Sequence, residues 1–118
     1  MTEETLQNWV SQHLTESRSG GELLVYPVGY CIISRPDSES IYLEDVFVNP
    51  EVRGENWVQW MATQVEDVGR LEGRFYLYGD IQPNSTNSEL MHDLMTAFGM
   101  RRLWSTPVLD IYRKVING

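Results

Sequence analysis

The chain has a single cysteine, no long apolar run and few basic residues, and each shortage excludes something. One cysteine, Cys31, rules out an internal disulfide and a cysteine-based zinc site. It lies in the apolar stretch Tyr30–Ile33 and reads as a core residue. That stretch is the longest of its kind and falls far short of a membrane span. The N-terminus, MTEETLQNWV, lacks the basic and apolar form of a signal peptide, so a cytoplasmic location fits. Nine Lys and Arg against seventeen Asp and Glu leave a formal net charge of −8. That balance argues against nucleic-acid backbone binding, which wants a basic face. The adjacent pair Arg101 and Arg102 then reads as a solvated strand edge. The acidity suits a cationic small molecule or a basic partner, and equally plain solubility. No internal repeat or low-complexity segment interrupts the 118 residues, a length that makes one domain with one sizeable core.

What is present is organised around Ile41–Met61, IYLEDVFVNPEVRGENWVQWM. Ile41–Val48 reads as a strand, ended by Asn49-Pro50. The Arg53-Gly54 step turns the chain, and Trp57, Met61, Val65 and Val68 then recur at helical spacing. Strict alternation puts Ile41, Leu43 and Phe47 on one face of the strand and Tyr42, Val46 and Val48 on the other. An apolar pattern on both faces predicts a central strand covered on both sides. Glu44 and Asp45 interrupt it, one on each face. Carboxylates in a covered strand are costly unless they are paired, solvated through a cleft, or used. The turn into a helix N-terminus also offers backbone N–H groups to an anion.

On either side the elements follow in order. Thr2–Ser17 reads as a helix with a stripe of Leu6, Trp9, Val10, His13 and Leu14, the histidine being structural. Arg18–Gly21 is a break. Pro27 and Gly29 divide the next apolar region into strands at about Leu23–Tyr26 and Tyr30–Ser34. Arg35–Ser40 reads as a hairpin turn, which makes the Ile41–Val48 strand antiparallel to its predecessor. A helix over about Asn56–Leu71 carries a Glu66/Arg70 pair at i,i+4 and ends at Gly73. Trp57 and Trp60 in its first turns read as core anchors. Arg74–Ile81 is a strand, parallel to Ile41–Val48 because a helix separates them. Thr86–Glu89 has capping-box spacing ahead of a helix whose apolar face is Leu90, Met91, Leu94, Met95 and Phe98, with Gly99 as its stop. The methionines there read as packing. Two strands close the chain, about Met100–Ser105 and Val108–Val115.

This order, α-β-β-β-α-β-α-β-β, resembles the GCN5-related N-acetyltransferase (GNAT) superfamily from Gly21 onward. The segment IYLEDVFVNPEVRG is similar to the fourth strand of polyamine and thialysine acetyltransferases. LMTAFGMRR looks like the family's helix that ends in Gly-Phe. The resemblance implies an α+β, GNAT-like fold, shortened at the N-terminus. It would be a single domain over the whole chain. Its central sheet would be mixed and mostly antiparallel, with a splayed parallel strand pair and flanking helices. It also implies acyl transfer from acetyl-CoA to the primary amine of a small molecule or a protein, with neither nucleic acid nor membrane as partner and room for a homodimer. By the same resemblance Val46, Phe47 and Val48 would line the pantetheine, and Arg53, Gly54, Glu55, Asn56, Trp57 and Val58 would form the pyrophosphate turn. Glu44 stands where some members take the amine's proton, and Asp45 and Asp80 would attract the cation.

The sequence also departs from the family pattern. The family's turn reads Gln/Arg-x-x-Gly-x-Gly/Ala, and here Asn56 and Val58 replace the small residues. Glu55 adds a negative charge beside the phosphate, worth about 1 kcal/mol against binding if exposed. The tyrosine that often serves as general acid is Met95. These departures support an alternative, a catalytically inactive binding or structural protein on the same scaffold, of a kind found in phage genomes. Exposure of Trp57 or Trp60 would favour that alternative, whereas Trp57 packed inside together with a groove between the two parallel strands would favour the enzyme. Glu44 has a structural alternative as well, a bridge to Arg35, Arg74 or a backbone amide.

Overall fold

The computed structural model describes residues 21–49, 51, 55–84 and 86–117, with the backbone alone for Glu55 and Trp104. The expected N-terminal helix, with His13, lies outside the described residues. The elements are β1 (Glu22–Tyr26), β2 (Gly29–Asp37), β3 (Ser40–Val48), α1 (Glu55–Leu71), β4 (Tyr76–Ile81), α2 (Ser88–Ala97), β5 (Arg101–Ser105) and β6 (Asp110–Val115). They form one six-stranded sheet in the order β1-β2-β3-β4-β6-β5. Every neighbouring pair is antiparallel except β3 and β4, which run parallel across the α1 connection. The α+β architecture therefore matches the sequence expectation. No helix among the described residues is long and apolar enough to cross a membrane.

Both helices pack on one face of the sheet. There Ile33, Ile41, Leu77, Tyr112 and Ile116 meet Val65 and Val68 of α1, Met91 and Met95 of α2, and Phe98 just after it. The opposite face holds a smaller cluster of Tyr30, Ile32, Leu23 and Phe47. The face assignment along β3 differs from strict alternation. Ile33 pairs with Leu43 and Ile32 with Asp45, so Glu44 is an extra residue in β3. Such a bulge shifts the side-chain alternation beyond it. Val46 consequently joins the helix-side core, and Phe47 stacks on Tyr30 at 5.1 Å on the other side.

Three further details correct local expectations. Arg35 and Pro36 do not turn the chain. They sit in a register irregularity of β2, where the missing proline donor costs no ladder bond, and the reversal falls at Ser38-Glu39. The capping box is absent: α2 starts at Ser88, its N-cap Asn87 makes no side-chain cap bond, and Thr86 lies before the first turn. Trp57 and Trp60 are not core anchors, each being 38% exposed. The row that seats α1 is Met61, Val65 and Gly69, which begins one turn later. Gly69 lets the helix approach closely, since a Cβ there would stand 2.7 Å from Ile116 Cδ1. The ends are as the sequence predicts. Gly73 and Gly99 take positive φ, and the following amides bond back five residues, Arg74 to Gly69 and Met100 to Met95.

Two ionic clusters tie the layers. Glu66, buried in α1, accepts from Arg70 at 3.3 Å, as expected, and from Lys114 of β6 at 2.7 Å. At the sheet's lower end Glu72 accepts from Arg35 Nε at 2.8 Å and Arg74 Nε at 2.6 Å, while Arg35 also donates to Glu22. The Arg35 and Arg74 guanidiniums together hold the Glu72 carboxyl down at about 2, from an ordinary 4.5. Because the folded value is depressed, this stabilisation is whole above about pH 4.5 and is lost as the pH falls toward 2. Solvent exposure limits it to about 1 kcal/mol. The melting-temperature gap between wild type and Glu72→Gln should therefore close on acidification from pH 4.5 to 2, and a gap that stays constant contradicts the assignment. A second expectation concerns the β2–β3 crossing, where a Cβ on Gly29 would collide with the Phe47 carbonyl. Gly29→Ala should cost about 2–3 kcal/mol in denaturant unfolding. Gly79→Ala, which meets only the movable ends of Met95 and Met100, should cost under about 1 kcal/mol.

Candidate functional site

The parallel ladder between β3 and β4 is short. It runs from the Ser40–Tyr76 pair to the Leu43–Gly79 pair and stops. Beyond it, β3 stays with β2 through Val48, and Asp80 and Ile81 of β4 stay with β6. The bulge at Glu44 supplies the cause, because an inserted residue bends its strand and increases the local twist. A cleft of about 170 Å³ opens where the two strands part. Val46 of β3, Val58 and Ala62 of α1, Met91 and Met95 of α2, and Phe98 just after it form its apolar walls. Its polar lining residues are Glu44, Asp45, Gln59 and Asp80.

Three acidic residues thus line the cleft where the strands part. Both oxygens of Glu44 are shielded from solvent. The arginines offered as its structural partners serve elsewhere, Arg35 on Glu22 and Glu72, and Arg74 on Glu72 and the carbonyls of Asp37 and Ser40. Asp80 accepts from the Tyr42 hydroxyl. Asp45 pairs with Ile32, on the face away from the helices, and is also among the residues that line the cleft. Burial first, and then the Asp45 charge, pushes the Cys31 thiol up to about 12. Cys31 is therefore a protonated core residue and not a nucleophile. Among the described residues no group of three or more His, Cys, Asp or Glu is arranged to hold a metal ion.

The structure brings Glu44, Asp45, Val46, Val58 and Asp80 together around one cleft. It separates Phe47, which faces the other way, and places Asn56 and Trp57 on the exposed start of α1. Val48 is buried at the end of β3. Glu55 opens α1, and Arg53 and Gly54 lie outside the described residues. Sequence reasoning missed Tyr42 and Gln59, and it read as plain packing the methionines that also wall the cleft. Gln59 could have been found, since it falls about one turn before the buried Ala62. Tyr42 carried no signal, because its partner Asp80 is 38 residues away. Met95 stands in the cleft wall where a tyrosine acid was sought, so that hydroxyl is absent here.

An open, mostly antiparallel sheet whose single parallel pair splays over a helix-walled cleft defines a narrow class of fold. Solved structures give it a name: the chain has the GNAT fold. A GNAT-family acetyltransferase from Elizabethkingia anophelis, solved with acetyl-CoA bound, superposes with a TM-score of 0.66 over 92% of this chain and 82% of that one, at 15% identity. An acetyltransferase from Bacillus subtilis in complex with CoA gives 0.69 over 98% and 93%, at 10% identity. A GNAT-family acetyltransferase from Listeria monocytogenes gives 0.64 at 16% identity, with 75% of this chain covering only 57% of that one. No protein-family model matches the chain, and no curated protein matches it in sequence.

Proposed function

We propose that the protein is an acyl-CoA-dependent N-acyltransferase, acting from acetyl-CoA on a primary amine in the cytoplasm. The observation that carries this reading is the parting of β3 from β4 after Leu43 and Gly79, with an apolar cleft between the helices and three carboxylates at its base. The apolar walls suit a flexible arm of methylene and amide groups, and structural relatives hold acetyl-CoA or CoA. Val46 and Val58 would flank that arm, and the residues ahead of α1 would take the pyrophosphate. Glu44 would accept the ammonium proton, leaving a neutral nitrogen to attack the thioester carbonyl carbon. The C–S bond then breaks, the nitrogen gives up its second proton to water as it becomes an amide, and the departing thiolate takes a proton from water, so no tyrosine acid is required. Asp45 and Asp80 would draw the cationic acceptor to the opening.

A second reading rests on the aromatic cluster at the start of α1. Trp57 and Trp60 meet edge to face at 6.1 Å, Trp60 meets Tyr26 at 5.3 Å, and both indoles are exposed. Such a patch favours a protein-binding role without turnover. Acetyl-CoA separates the two. The acyltransferase reading expects a melting-temperature rise of several degrees at saturating acetyl-CoA, since ligand at 100 times Kd stabilises by about 2.7 kcal/mol. Glu44→Gln should keep that rise and lose at least about a hundredfold in turnover. No shift with any acyl-CoA points to the binding protein, and unchanged turnover in Glu44→Gln removes the glutamate as base.

A further inference from the structure

Successive residues of β4 alternate between the two faces of the sheet. Leu77, Gly79 and Ile81 face the helices and are buried, while Tyr76, Tyr78 and Asp80 face the other way and are half-buried. Asp80 is the first β4 residue beyond the parallel ladder. It therefore stands at the mouth of the opening on the face away from the helices, and it still lines the cleft. A carboxylate at the loosened end of a ladder turns freely about its side-chain torsions unless something holds it. The hydroxyl of Tyr42 donates to Asp80 Oδ2 across the two strands. Tyr42 itself lies within the paired part of β3, opposite Tyr78. Its ring runs nearly parallel to that of Tyr78, 14° apart at 6.2 Å, and Tyr78 in turn touches Tyr76 at 6.4 Å. Arg113 of β6 caps the row, 4.8 Å above the Tyr76 ring. The donor is thus braced by a tier of rings on two strands, capped by an arginine from a third, and the acceptor sits where the strands have come apart.

We propose that Tyr42 is a positioning residue, its hydroxyl fixing the Asp80 carboxylate at the mouth of the split so that Asp80 binds the ammonium of the acceptor amine. This assignment rests on the acyltransferase reading and adds a residue and a role to it. One oxygen of Asp80 is committed to the hydroxyl, which sets the plane of the carboxylate, and a cation approaching from the far face meets an oriented acceptor. The alternative is a cross-strand tie that merely holds β3 to β4, and the two differ in what the hydroxyl affects.

The test uses the full chain as wild type, Tyr42→Phe, Asp80→Asn and the double variant. Phenylalanine keeps the ring tier and removes only the donor. Melting temperature with and without CoA is measured beside steady-state acetyl transfer to 2-phenylethylamine, hexylamine and spermidine. Tyr42→Phe should raise the amine KM roughly tenfold, the scale of one hydrogen bond to a charged group, with kcat changed by less than about threefold. The acetyl-CoA KM and the CoA-induced melting shift should match wild type. In the Asp80→Asn background the same change should add nothing to the amine KM. Equal effects of Tyr42→Phe in both backgrounds, an effect on acetyl-CoA KM instead, or unfolding of the variant would each make the hydroxyl a structural tie and overturn the proposal. So would failure to acylate any of the three amines while CoA still raises the melting temperature. Absence of any CoA shift in wild type would instead overturn the acyltransferase reading, and the proposal with it.

Discussion

One extra residue in β3 sets the geometry on which the rest depends. Glu44 stands between the Ile33–Leu43 and Ile32–Asp45 pairs without a partner position of its own in β2. Before it, β3 holds β4 through a parallel ladder; after it, the two strands keep only their outer neighbours. The insertion also exchanges the faces of the residues that follow, sending Val46 toward the helices and Phe47 away from them. A strand that must satisfy two sheet neighbours over its full length could not do this. The bulge converts the end of β3 from a sheet interior into the wall of a cleft, and it carries a carboxylate at the point of conversion.

The helices keep that cleft from closing. α1 is drawn tightly onto the lower sheet by Gly69, against Ile41 and Ile116, and the buried Glu66 anchors it to Lys114 of β6. Lys114 in turn sits 4.1 Å over the Phe98 ring at the end of α2, so one cation links both helices to the same strand. α2 is joined again to β6 through His92 and the Tyr112 hydroxyl. With both helices fastened at the paired end of the sheet, the space above the parting strands is left to Val58 and Ala62 on one side and to the methionines on the other. Thioether side chains conform readily to a neighbour's shape, a property that suits a wall which must accept an arm.

Much of this was legible in the chain, for physical reasons that differ by element. α1 and α2 announced themselves by helical periodicity and β3 and β4 by their apolar and aromatic content, and Gly73 and Gly99 marked helix ends because only glycine takes the left-handed turn cheaply. The parallel pairing followed from the length of the crossover. The bulge was hidden, since hydrophobic alternation is read one strand at a time and a register shift belongs to a pair. The same limit explains Trp57 and Trp60. Their spacing fits the buried row of α1, but where a helix overhangs its sheet is a tertiary fact. Glu44, Asp45 and Asp80 stood out as charges in apolar strands, and the structure gathers all three. The Tyr42–Asp80 contact joins residues far apart in sequence and could only be found in three dimensions.

The central claim is that the parted strands receive the acyl-CoA arm. The five methionines supply probes for it, because Met91, Met95 and Met100 line the cleft while Met61 is buried in the core beneath α1. In protein labelled with carbon-13 at the methionine methyl groups, titration with CoA should shift the resonances of Met91, Met95 and Met100 and leave Met61 in place. Saturable binding of CoA that moves none of the three would contradict the account.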